Sequence, residues 1–109
     1  MLPPMETTSD HPPYQSASHS LETHREKIFE IFEQLHVGVV RVLREDAPIR
    51  LPDLYDIEFV VELPRLVGLM GLLSTETALE DLLGQRVYIH DLLVDCEDNR
   101  IARKESSPL

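Results

Sequence analysis

Two segments decide how this chain is read: Val40-Arg41-Val42-Leu43 and Tyr55-Asp56-Ile57-Glu58-Phe59-Val60-Val61-Glu62-Leu63. The second alternates Ile57, Phe59 and Val61 with Asp56, Glu58, Val60 and Glu62, the period of a strand with one buried face. That pattern places Asp56 and Glu58 on the solvated side. Val39 to Leu43 carries Val and Leu on both faces apart from Arg41 and reads as a short, mostly buried strand. Between the strands, Arg44 to Leu54 is polar and holds Pro48 and Pro52, so it is a loop.

Upstream, Ile28, Phe32 and Leu35 recur at helical spacing against a wet side of Arg25, Glu26, Lys27, Glu30 and Glu33. This predicts a helix over Leu21–Leu35, with Ser20 as its N-cap and His36 near its negative end. Downstream, Pro64 ends the strand. Gly68 and Gly71 each weaken a helix by up to ~1 kcal/mol relative to Ala. The secure helix is therefore expected at Ser74–Leu83, capped by Ser74 or Thr75 and closed by Gly84. Val87 to Leu93 makes a third strand. The expected fold class is α/β (α+β): a small mixed sheet with helices packed on one face. Residues 1–19 hold four of the eight prolines and few apolar side chains, so they are expected to be a disordered leader, with His11 and His19 in solvent. The folded domain is expected over 20–95, and 96–109 as a polar C-terminal tail or frayed helix.

The 109 residues accommodate one domain, and with no Trp its core must be aliphatic. A formal charge of -10 argues against binding nucleic acid and favours a basic protein partner. Cys96 is the only cysteine and sits among Asp95, Glu97 and Asp98, which oppose a thiolate, so neither a disulfide nor a reactive thiol is expected. No apolar run reaches the ~20 residues of a membrane span, and the expected location is cytoplasmic. His90 and Asp91 are adjacent on a strand and point to opposite faces, so they are not expected to pair.

The residues on either side of the loop carry a resemblance. Arg44-Glu45 follows the first strand, ten residues intervene, and Asp56-Ile57-Glu58 opens the next; Leu82-Leu83-Gly84, a basic residue and Val87-Tyr88-Ile89-His90 come later. This frame, covering roughly residues 23–93, resembles the minimal nucleotidyltransferases of the polymerase-beta superfamily, small proteins often encoded as antitoxins beside a helical toxin. There a Gly-Ser pair, ten residues and Asp-x-Asp precede a third Asp, which here falls on Tyr88. The resemblance thus implies a nucleotidyltransferase-like fold with a degenerate site.

Asp56 and Glu58 retain the i, i+2 relation that aims two carboxylates at one pocket. If the chain is active, they are its catalytic pair and its Mg2+ ligands. Against activity, Arg44 puts a bulky side chain where Gly lets backbone approach a phosphate, Glu45 sets a negative charge toward the triphosphate, and Tyr88 is a poor Mg2+ ligand. The expectation is no catalytic residue and no cofactor, with Mg2+ only for residual activity. The role implied is a pseudoenzyme that binds a protein, such as a basic helical toxin-like partner. The alternatives are a weakly active Mg2+-dependent nucleotidyltransferase using Asp56 and Glu58, and a stand-alone regulatory or scaffold protein that is a homodimer through Leu66–Leu73.

Overall fold

The computed structural model describes residues 19–109. The expected leader, His11 included, lies outside them except for His19, whose Nε2 is 3.4 Å from Thr23 Oγ1. The elements are α1 (Arg25–Glu33), β1 (Arg41–Leu43), β2 (Ile57–Val61), α2 (Gly68–Leu83), β3 (Val87–Asp91), α3 (Glu97–Lys104) and β4 (Ser106–Pro108). Ser20 is not the cap of α1: the backbone is already helical over 19–23, breaks at His24, and resumes with His24 as an N-cap that makes no side-chain bond. At the other end, His36 adopts a left-handed φ of 64°. Val37 N–H there reaches back to Phe32 O at 3.1 Å, closing the helix.

The four strands run in the order β3-β2-β1-β4. β1 is antiparallel to both neighbours, while β2 and β3 are parallel and joined through α2. α1 and α2 cover one face, where Ile28, Phe32, Leu79 and Leu83 pack on Ile57, Phe59, Val61, Val87 and Ile89. Phe32 and Phe59 meet edge to face with centroids 5.4 Å apart.

The opposite face is not left to solvent. Ala102 of α3 is fully buried against Leu43, Ala47 and Val60. The polar tail expected over 96–109 is therefore a helix and an edge strand of the same sheet. Charge concealed it: Glu97 and Asp98 stand in the first turn and Arg103 and Lys104 in the last, an arrangement that favours the helix dipole. Its anchoring needs only one small apolar residue. β4 then pairs Ser106 with Leu43 and Ser107 with Val42. Arg41 clamps Ser106 through Nε to Oγ at 2.8 Å and Nη2 to the backbone O at 2.6 Å. With both faces covered, all five residues of β2 are buried, Glu58 included, which overturns the expectation of a solvated face.

α2 also differs from expectation, running through both glycines from Gly68. Gly68 enters it at φ 68°, and at Gly71 a β-carbon would lie 2.9 Å from Val67 Cγ1, so each position suits glycine for a local reason. Thr75 does not cap; its hydroxyl donates to Gly71 O at 2.8 Å within the helix. Gly84 closes the helix in the left-handed conformation, as expected.

β3 is an edge strand, and its donors are occupied. Ile57 N–H bonds Arg86 O and Leu92 N–H bonds Val61 O, so the even-numbered residues face β2 and the odd ones face outward. Two outward donors meet carboxylates one helical turn apart on α2: Val87 N–H to Glu80 Oε2 and Ile89 N–H to Glu76 Oε2, both 3.0 Å. Burial pushes the Glu76 carboxyl above its ordinary range, the Ile89 N–H opposes this, and the Glu80 charge adds to it. A carboxyl raised by folding opposes folding at neutral pH, and that opposition fades as pH falls through its folded value. Glu76→Gln, which keeps an acceptor for Ile89, is expected to hold or raise the melting temperature at pH 7. Glu76→Ala, which strands the donor, is expected to lose about 1–3 kcal/mol in urea unfolding.

Candidate functional site

The loop of residues 44–54 turns back on itself three times, through Ala47 N–H to Arg44 O, Arg50 N–H to Ala47 O and Leu54 N–H to Leu51 O, each 3.0 to 3.1 Å. Ala47 is buried beneath it, and the folding-back carries Arg50 to the start of β2. A cleft of about 190 Å³ results, lined by Glu45, Arg50, Asp56 and Glu58 with Leu21 and Ser107 at its border. Three of the four residues singled out from the sequence thus converge. Arg44 does not: its guanidinium turns to Glu105 and, at 3.6 Å, to Asp46.

Glu58 is fully buried, and both of its oxygens are engaged. Oε2 accepts from Arg50 Nη1 and from Leu51 N–H, each at 2.9 Å, and Oε1 lies 2.8 Å from His90 Nε2. Burial by itself would raise this carboxyl, but the hydrogen bonds from His90 and Leu51 and the Arg50 charge outweigh it, so the group is held below its ordinary range. Arg50 Nε is buried without a partner among the described residues, so the terminal nitrogens alone hold the guanidinium.

Asp56 is engaged in the same way. Arg86 grips it through Nη2 to Oδ1 at 2.9 Å and through Nε and the backbone N–H to Oδ2 at 3.2 and 2.8 Å. A further bond from Arg86 Nη1 to Asp53 O fixes the guanidinium. These Arg86 hydrogen bonds hold the Asp56 carboxyl below its ordinary range against partial desolvation.

Tyr88 stands opposite Glu58 in the parallel register, the position of the third carboxylate in the resemblance. Its ring packs between Tyr55 and His90, with centroids 4.9 and 4.8 Å away. Desolvation, aided by Tyr55 and the nearby acids, raises its phenol, which stays neutral at physiological pH. Cys96 is exposed at the N-cap of α3.

Mg2+ binds through free carboxylate oxygens, whereas every oxygen of Asp56 and Glu58 already accepts from arginine, histidine or backbone. Among the described residues, no three His, Cys, Asp or Glu side chains form a group able to hold a metal ion. Arg50, Arg86 and His90 are the site residues that sequence reasoning missed. The one signal was Arg50 itself, a single charge within the apolar run Ile49-Arg50-Leu51.

No protein-family model matches the chain, and no curated protein does. A solved structure provisionally assigned as a minimal nucleotidyltransferase does match, at 23% identity and a TM-score of 0.68, covering 92% of this chain and 99% of that one. The chain has the nucleotidyltransferase fold. Among the described residues, no helix is long and apolar enough to cross a membrane.

Two outcomes follow from the internal pairing. Arg50→Ala leaves a buried carboxylate without its cation and is expected to cost about 3–5 kcal/mol in urea unfolding. Adding Glu58→Gln in a double-mutant cycle is expected to recover part of that loss. Asp56 and Glu58, both lowered by folding, contribute stability that is present above their unfolded values, ~4, and lost as pH falls through their folded ones. Asp56→Asn is therefore expected to flatten the fall in melting temperature below about pH 4.

Proposed function

We propose that this chain is a catalytically degenerate nucleotidyltransferase-fold protein that acts by binding another protein, neutralising a basic, helical, toxin-like partner by occupancy. The observation that carries the loss of catalysis is the engagement of all four oxygens of Asp56 and Glu58 by donors of the chain itself. Nucleotidyl transfer needs carboxylates that hold cations against a triphosphate. Here two guanidiniums take the place of those cations, and each is anchored at a second point, Arg50 Nη2 on Asp56 O at 3.4 Å and Arg86 Nη1 on Asp53 O at 2.8 Å. Glu45, exposed at the mouth of the cleft, adds a charge that repels a nucleotide.

Support for a basic partner is electrostatic. A chain at -10 attracts a cationic surface and disfavours nucleic acid.

The deciding experiment is calorimetric titration of the full chain with ATP and with GTP, in Mg2+ and then in Mn2+. No heat of binding is the expected result. Metal-dependent binding that disappears in Asp56→Ala would overturn the reading and leave a weakly active Mg2+-dependent nucleotidyltransferase in its place. Neutralisation is read separately, by co-expression with a basic, all-helical product of a neighbouring reading frame; Asp56→Ala is expected to leave it intact.

A further inference from the structure

We propose that the surface built from Leu66 and the first two turns of α2 is the interface of a two-fold symmetric homodimer. After β2 the chain makes a turn closed by Val67 N–H to Pro64 O at 3.1 Å, then enters α2 at Gly68. Leu66 at the tip of that turn is 99% exposed, followed by Leu69 at 68%, Met70 at 75% and Leu73 at 47%. Leu93 and Val94, on the segment leaving β3, are also more than half exposed. Met70 and Leu73 of α2 extend the exposed apolar surface begun at Leu66, away from the stripe of Leu72, Leu79 and Leu83 that meets the core. The first half of α2 is therefore apolar on two sides, and the sheet needs only one.

Burying side chains of this size is favourable, and six gathered at one end of a small domain exceed the scattered exposure of an ordinary surface. The shape points to a second copy as the occupant. Beside the ridge lies a groove of about 550 Å³ lined by Leu63, Val67, Leu72, Leu93 and Val94. An isologous interface needs each copy to offer both a projection and its receptor, and here the two adjoin on one surface.

Charge agrees with that choice. Two chains at -10 repel unless their contact is locally balanced. Among the described residues, Arg65 and Asp91 are the only charged ones lining the groove. Asp91 Oδ1 is held within its own chain by Leu63 N–H at 3.2 Å and Leu93 N–H at 3.0 Å. Arg65 makes no ion pair among the described residues. The acidic run Asp95, Glu97 and Asp98 follows Val94 and is exposed; Asp95 pairs with Arg100 of its own chain at 3.1 Å, whereas Glu97 and Asp98 make no ion pair among the described residues. A two-fold axis through the groove sets Arg65 of each copy against the acidic run of the other. The inference stands apart from the reading of the cleft, which lies at the opposite end of β2.

Sedimentation equilibrium of the full chain over a range of concentrations tests it. The expected mass is about 25 kDa, twice the 12.5 kDa of the monomer. Leu66→Lys and Arg65→Glu, both at exposed positions, are each expected to raise the dissociation constant at least tenfold with the far-UV dichroism unchanged. Leu54→Lys, at an apolar site 57% exposed at the far end of the sheet, is expected to leave it unchanged. A monomer at every concentration overturns the proposal, as does a dimer that tolerates both interface substitutions. Neither result bears on the nucleotide titration, so the two readings fail separately.

Discussion

A carboxylate with no solvent exposure sits near the start of β2, an inner strand of the sheet, and the structure around it is arranged to make that tolerable. An unpaired buried charge costs several kcal/mol. Glu58 avoids the cost by drawing on Arg50 and Leu51 from the loop and on His90 from the neighbouring strand. The loop and the neighbouring strand β3 are thereby both tied to one side chain. The loop, which has no strand or helix of its own to hold it, is fastened to the sheet at that point. Its tight turns then set the walls of the cleft.

This pairing reaches into the chemistry of the cleft. On a nucleotidyltransferase fold, acidic residues at the start of this strand are suited to holding mobile cations. Arg50 and Arg86 are cations bound through the chain, they do not exchange, and they are planar donors matched to carboxylates. A site balanced internally is more rigid than one awaiting a metal and has less electrostatic reason to recruit one. The proposed loss of catalysis and the stability of the domain thus rest on the same bonds.

The C-terminal segment and α2 show how cover is distributed over a small sheet. α3 and β4 close the face and the edge that α1 and α2 leave open, which leaves Val60 dry, while the loop and His90 enclose Glu58. Glu76 and Glu80 quiet two outward donors at the other edge. The largest group of exposed apolar side chains is gathered at one end, around Leu66 and Met70.

Much of the framework was legible from local pattern. Ile57, Phe59 and Val61 marked a strand, Ile28 and Phe32 the helix covering it, and Gly84 a helix end, because period and φ preference are properties of neighbouring residues. The convergence of Glu45, Asp56 and Glu58 was legible too, through the spacing shared with a known frame. The state of those carboxylates was not. Alternation in β2 implied a wet face because nothing local announces that α3 will cover it, and the charged composition of 96–109 argued for solvent. Arg50, Arg86 and His90 lie 8, 30 and 32 residues from the groups they bind. Sequence by itself determined the elements as far as β3, their order and where acids gather. Only tertiary structure decided that Glu58 is dry and that it and Asp56 are paired, because burial and ion pairing depend on which distant segments share a point in space.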